Sequence, residues 1–293
     1  MKIIETGNLT KYYGKSRGIV DLNLNVEEGD FFGFIGPNGA GKSTTIRTLL
    51  GLIYPTSGDA RIFGKDIVRD KTEILSMIGY MPSEAIFYSG MKVKDIITLS
   101  AKMRRKNCDE EAKNLCERLS LDTGKRVEEL SLGNRKKVSI VCAMQHKPRL
   151  CILDEPTSGL DPLMQREFFG ILKERHKEGS TIFLSSHVLS EIQKNCLHAA
   201  IIKEGRLVAL DSVENLSKTN AKRVTLHGVS DVPGTIGVKS AKTDGDTVTF
   251  LYNGDIRQLL TVAGSLPIYD ITITEPSLDE IFMHYYEKGG EAE

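Results

Sequence analysis

Gly36-Pro37-Asn38-Gly39-Ala40-Gly41-Lys42-Ser43-Thr44 decides the fold. It fits the pattern G-x-x-x-x-G-K-[ST], the phosphate-binding loop. Gly36, Gly39 and Gly41 let the backbone take φ > 0 and approach a ligand closely. The N–H groups of Pro37 to Thr44, proline excepted, can then converge on one anion as a nest. Lys42 can reach β- and γ-phosphates, and the Ser43 hydroxyl can hold Mg²⁺. The flanks agree with this reading. Asp30-Phe31-Phe32-Gly33-Phe34-Ile35 is an apolar run of strand length, and Lys42 to Leu52 reads as a helix. The loop therefore feeds a helix N-terminus, where dipole and free N–H groups favour phosphate.

Further along, Leu150-Cys151-Ile152-Leu153-Asp154 is an apolar run ending in a carboxylate. Such a run suits a strand buried on both faces of a sheet. Ligands of these sheets bind at the carboxyl ends of the strands, where Asp154 and Glu155 fall. One carboxylate there can serve a metal, and the next can orient attacking water, as phosphoryl transfer requires. Pro162 to Glu178 reads as a helix with proline at its start and Gly179 past its end. Thr181–Ser185 is the next buried strand, Leu189–Cys196 a helix and Ala199–Ile202 a strand. His187 stands just beyond a strand, beside the expected site. Residues 30–202 thus read as an α/β layer with a largely parallel core.

Upstream, residues 1–29 alternate as strands do, and Tyr12 and Tyr13 lie between polar residues. These rings are either half-buried strand aromatics or a stacking surface for adenine. Asp59–Gly64 and Ile78–Pro82 read as short strands, and residues 91–121 as mostly helical. The basic run Lys102-Met103-Arg104-Arg105-Lys106 reads as a solvated helix end. Past about residue 218 the pattern changes to half-exposed strands (Arg223–His227, Asp246–Phe250, Tyr269–Thr274) with helices at Ile256–Leu260 and Ser277–Tyr286. This is a small α+β unit with loops at Pro233-Gly234 and Asn253-Gly254 and a frayed Gly289–Glu293 tail.

The 293 residues suffice for about two domains. Lys plus Arg equals Asp plus Glu at 39 each, so the charge balance supports no nucleic-acid partner. No apolar run approaches the roughly 18 residues of a membrane span, and Met1–Thr6 has no signal-peptide core. The five cysteines form no C-x-x-C pair, which fits reduced thiols in the cytosol rather than a zinc site.

The phosphate loop, Leu-Ser-Leu-Gly-Asn at 130–134, Leu-Cys-Ile-Leu-Asp-Glu-Pro-Thr-Ser-Gly-Leu-Asp at 150–161 and Leu-Ser-Ser-His at 184–187, in this order, resemble the ATP-binding cassette of ABC transporters. The resemblance covers residues 1 to about 220. It implies a P-loop NTPase cassette over 1–218: a mostly parallel core sheet, an antiparallel β subdomain and a helical subdomain at about 84–146. Residues 219–293 form the accessory α+β domain. It also implies Walker A at 36–44, Walker B ending at Asp154, Glu155 as catalytic carboxylate, a D-loop through Asp161, His187 as switch histidine and Tyr13 as adenine-stacking ring. Cassettes of this family work in pairs, each ATP lying between Walker A of one subunit and the signature loop (here Ser131 and Gly133) of the other. The segment Glu275–Phe282 resembles the C-terminal part of bacterial ABC-2-type exporter ATPases. The implied partners are a polytopic membrane subunit and a second ATP-binding subunit, identical or not. The implied cofactors are ATP and Mg²⁺, and the implied location is the cytoplasmic face of the membrane. The cargo would be a drug, peptide, lipid or polysaccharide.

Two departures qualify the resemblance. Leu132 and Asn134 replace a glycine and a glutamine of the usual signature. Ser83 stands where a glutamine normally contacts Mg²⁺ and water, and its shorter side chain would reach the metal only through water. ATP binding is expected to survive, with hydrolysis slow or partner-dependent. A regulatory cassette with weak turnover is the alternative. Translation-type relatives carry two cassettes and repair-type relatives a long coiled coil; this chain has one cassette and no such insert.

Overall fold

A computed structural model describes residues 1–217, 222–231 and 238–276. The chain divides into two compact units, Met1–Val213 and Glu214–Glu293. The boundary expected at 218/219, from the change of pattern and the resemblance, lies a few residues further along. The helix expected at Ser277–Tyr286, the Pro233-Gly234 loop, the tail, and all of the exporter-like segment beyond Pro276 lie outside the described residues.

The first unit is built on a six-stranded sheet in the order Arg206–Ser212, His198–Lys203, Phe31–Ile35, Thr181–Ser186, Leu150–Asp154, Ile78–Met81. All neighbours are parallel except the first pair. Every residue of Phe31–Ile35, Leu150–Asp154 and Thr181–Ser186 is buried, which explains their continuous apolar runs. The carboxyl ends of these three central strands lie side by side, with Asp154 paired to Ser185 and Ile35 to Ser186. The phosphate loop, Asp154, Glu155 and His187 are therefore brought to one edge of the sheet by topology alone.

A second, antiparallel sheet runs Ser16–Leu22, Lys2–Tyr13, Ser57–Ile62, Lys65–Asp66, with Asn25–Glu27 also on Lys2–Tyr13. Its inner face shares one core with the main sheet, including Ile4, Leu9, Ile19, Phe34, Ile46 and Leu49. Each such side chain contributes about 1.5–3 kcal/mol on burial.

The helix predicted over Lys42–Leu52 spans Lys42–Leu49. Gly51 at φ 61 stops it. The Gly51 N–H bonds Thr48 O, and the Leu52 N–H bonds Arg47 O, the paired contacts of a Schellman end. Helices Val93–Met103, Asp109–Arg118 and Leu132–Met144 form the helical part of this unit. Arg118 pairs with Glu167 and Glu174 of the helix Pro162–Lys177, and Arg175 with Glu111, so charge pairs join that helix to Asp109–Arg118. The helix Lys71–Met77 and the edge strand Arg206–Ser212 have no counterpart in the sequence reading.

The second unit has a four-stranded antiparallel sheet, Val238–Asp244, Thr247–Tyr252, Lys222–His227, Asp270–Thr274. The helix Ile256–Gly264 closes its core of Val224, Leu226, Val248, Phe250, Leu259 and Ala263. Asp255 caps this helix, accepting from the Arg257 N–H at 2.9 Å. Among the described residues, no helix is long and apolar enough to cross a membrane.

Candidate nucleotide site

The loop leaves the sheet at Ile35 and enters its helix through Gly41, which is left-handed at φ 108 and caps Lys42–Leu49. A Cβ on Gly41 would lie 2.7 Å from Gly18 O, so only glycine fits. Gly39 is also left-handed, at φ 79. Ala40 turns the loop, its N–H bonding Pro37 O and its carbonyl accepting from Gly205 N–H. Gly39, Lys42, Ser43, Ser83 and Glu155 line one cavity of about 240 Å³, together with Arg17, Asn38 and Thr44. The sequence reading missed Arg17; nothing in an alternating strand marks one arginine as facing the loop.

Lys42 is nearly fully buried. Its ammonium donates to Gly36 O at 2.7 Å and Pro37 O at 3.1 Å, and it lies 3.1 Å from Glu155 Oε1. The loop lysine is thus folded back on its own loop and on the neighbouring carboxylate. Glu155 Oε2 lies 3.3 Å from His187 Nδ1. Both carboxylate oxygens therefore have a cationic or N–H partner.

Asp154 is fully buried. Its Oδ1 accepts from Ser185 Oγ at 2.7 Å, while Oδ2 has no hydrogen-bond partner. A buried carboxylate oxygen without a partner is costly unless a ligand takes it up. An oxygen-seeking cation such as Mg²⁺ fits this oxygen and the Ser43 hydroxyl. Ser185 also fixes the next residue: the Glu155 N–H donates to its Oγ at 3.0 Å and its carbonyl at 3.2 Å. Glu155 sits at φ 46, a left-handed conformation uncommon for a non-glycine residue. Its own carbonyl accepts from Lys136 Nζ at 2.8 Å. Lys136 is 1% exposed; burial pushes its pKa down, against the opposing pull of Asp154 and Glu155.

The remaining sequence candidates lie at or beyond the cavity's edge. Tyr13 is half exposed, with Lys11 Nζ 5.3 Å above its ring. A Cβ on Gly18 would meet Thr44 Cγ2 at 2.9 Å and Tyr13 Cε2 at 3.2 Å, so Gly18 lies between the ring and the loop. Ser131 caps Leu132–Met144, accepting from the Asn134 N–H at 3.3 Å. Asp161 caps Pro162–Lys177, accepting from the Met164 N–H at 3.0 Å. Gly133 packs on the turn that leads to Asp161: a Cβ there would lie 2.9 Å from Gly159 O. Ser131, Gly133 and Asp161 are not among the residues lining the cavity.

Known proteins give the family of the chain. Residues 19–158 match the ABC transporter family. The chain is 38% identical to the bacitracin transport ATP-binding protein BcrA of Bacillus licheniformis, covering 96% of each chain. It is 36% identical to the protein of that name from Enterococcus faecalis, over 87% of this chain and 83% of the relative. In fold it resembles an ATP-binding subunit of an ABC transporter with TM-score 0.72 at 23% identity, covering 97% and 99% of the two chains. A dimeric ATP-binding cassette, solved after hydrolysis with ADP and phosphate, matches with TM-score 0.65 at 22% identity, over 72% of this chain and 98% of that one. Loop, carboxylate pair and histidine at one sheet edge, with relatedness along nearly the whole chain, lead to one assignment: this chain belongs to the ABC transporter family, as an ATP-binding subunit of the kind that hydrolyses ATP.

Proposed function

We propose that the chain powers an exporter, with ATP held on the 36–44 loop and hydrolysed through Glu155. The observation that carries this reading is the 3.1 Å contact between Lys42 and Glu155. Lys42 and Glu155, the residues this reading assigns to phosphate and to water, line one small cavity. A nucleotide entering the loop takes over the Lys42 ammonium, and Glu155 is released to accept a proton from water. His187 holds the second Glu155 oxygen in place and is available to donate to the γ-phosphate. Mg²⁺ would be held by Ser43 and Asp154, with Ser83 reaching it through water, and would neutralise charge on the β- and γ-phosphates. Tyr13 would stack on adenine once Lys11 moves off its ring.

Ser131, Gly133 and Asp161 serve the partner's nucleotide in this reading. The likeness to a dimeric cassette solved with ADP and phosphate supports a site completed by a second cassette. The bacitracin name of the relatives supports a peptide antibiotic as the first cargo to test. Cargo would cross through a separate polytopic subunit, with this chain peripheral on the cytoplasmic face. The test is ATP turnover by the purified chain, alone and with the membrane protein that co-purifies with it. Turnover stimulated by that protein, and bacitracin tolerance conferred by the pair but not by a Lys42→Ala pair, is expected. Turnover that the membrane protein leaves unchanged refutes the coupling.

A further inference from the structure

A lysine in the hydrophobic interior needs a reason, because burying its charge is costly. Lys136 is such a residue. It lies on Leu132–Met144, and its neighbours one and two turns on, Ile140 and Ala143, are core side chains. The position is one for an apolar residue, yet the ammonium crosses to Walker B and donates to Glu155 O at 2.8 Å. The peptide it grips is left-handed, at φ 46. A β-carbon residue holds that conformation only when its surroundings impose it. Ser185 fixes the N–H side of Glu155 and Lys136 fixes the carbonyl side.

We infer that Lys136 is a positioning residue: by holding the Glu155 carbonyl it aims the Glu155 carboxylate at the water that attacks ATP. The inference rests on the proposed role of Glu155. The ammonium is buried and bonded to a backbone carbonyl, so it acts on turnover and not on ATP binding. The helix that carries Lys136 is the one capped by Ser131. The aim of Glu155 is therefore tied to the helix whose first turn bears the signature residues.

The test uses the full chain with Mg²⁺ and ATP. Lys136→Met keeps length and bulk but removes the donor. Its ATP affinity and KM should stay within about twofold of wild type, while kcat falls by about tenfold or more, since small misplacements of a catalytic group cost on the order of 10²-fold. Lys136→Arg and Lys136→Gln, which still donate, should recover most of the lost kcat. In a Glu155→Gln background, Lys136→Met should leave the residual rate unchanged within about twofold, because both act on one group. A Lys136→Met protein with wild-type kcat overturns the inference. So does a loss shared equally by affinity and kcat that neither donor variant recovers, which is the mark of a merely structural lysine. If Lys136→Met is insoluble, Lys136→Leu, which also lacks the donor, makes the same test: lowered kcat at unchanged affinity supports the inference, and wild-type kcat overturns it. The role of Glu155 fails by a separate result, full turnover in Glu155→Gln alone.

Discussion

Replacing Glu155 by glutamine should do two opposite things at once: stop hydrolysis and tighten ATP binding. The first follows because an amide cannot accept the proton of the attacking water. The second follows from the contact between Lys42 and Glu155 Oε1 at 3.1 Å. To reach the phosphates the ammonium must leave that carboxylate, and the carboxylate must then tolerate a γ-phosphate of the same charge nearby. A hydrogen bond to a charged group contributes about 1.5–3 kcal/mol. The ammonium keeps Gly36 O and Pro37 O as partners in both variants, so only the lower end of that range is lost. At about 1.4 kcal/mol per tenfold, 1.5 kcal/mol corresponds to roughly tenfold tighter ATP binding. ADP, which lacks the γ-phosphate, gains from the freed lysine but not from the lost repulsion, so its affinity should rise less. The assay is equilibrium titration with Mg²⁺ and each nucleotide on the same preparation used for phosphate release. Unchanged or weaker ATP binding in Glu155→Gln would refute the competition between carboxylate and phosphate for Lys42, even if hydrolysis stops.

Lys42→Ala should weaken ATP binding by about 10- to 100-fold, through loss of a charge-assisted phosphate contact; titration showing wild-type affinity removes the loop from the site. Ser83→Gln should raise basal ATPase activity, since Ser83 lines the cavity with a side chain too short to order water directly; an unchanged rate shows the loop has adapted to serine. Mixed dimers test the shared site: Lys42→Ala and Ser131→Arg on different protomers leave one composite site intact and should occlude nucleotide, whereas both on one protomer should not. A pattern with these outcomes reversed excludes the sandwich. For acid stability, His146 is the group to follow: burial pushes its pKa from 6.5 down to about 3. Its Nε2 contacts Ile78 O at 3.3 Å, and its Nδ1 is buried without a partner. Unfolded chains therefore bind the proton first, so this contribution is complete above pH 6.5 and is lost as pH falls toward 3. Denaturant titrations at about pH 5 should show wild type losing roughly 2 kcal/mol more than His146→Gln, relative to neutral pH; parallel losses refute the assignment.

The fold was legible wherever one physical rule dominates a segment. Leu150–Asp154 is found at its predicted bounds because a strand buried on both faces tolerates only apolar side chains until the chain emerges. The strands at Arg206–Ser212 and Val238–Asp244 were missed for the converse reason. The first alternates between half-buried and exposed positions, and the second reads Val-Lys-Ser-Ala-Lys-Thr-Asp, with little β-forming character. In the site, glycine spacing announced the loop, and the carboxylates followed from a strand end. Ser131 and Asp161 are helix caps as their sequence contexts allow, and a capping role is invisible to a reading that looks only for ligands. Lys136, Arg17 and Ser185 were not legible as site residues. What makes each of them relevant is a partner far off in sequence, and no local pattern encodes it.

The partners of Glu155 divide by which part of the residue they hold. Ser185 and Lys136 grip its backbone, and Lys42 and His187 grip its carboxylate. The two kinds of contact answer different demands. A left-handed glutamate at φ 46 costs on the order of 1–2 kcal/mol relative to an ordinary conformation. Backbone contacts that persist through the catalytic cycle can offset that cost without obstructing chemistry. The Lys42 contact cannot persist, because Oε1 must exchange a lysine for water when phosphate arrives. Lys42 is suited to that exchange, since its two carbonyl partners belong to the loop on which phosphate binds. In the proposed mechanism, the event that supplies the substrate thus frees the base. Before nucleotide binds, both Glu155 oxygens are engaged, by Lys42 and by His187. In the proposed mechanism, activation of water then waits until phosphate draws Lys42 away.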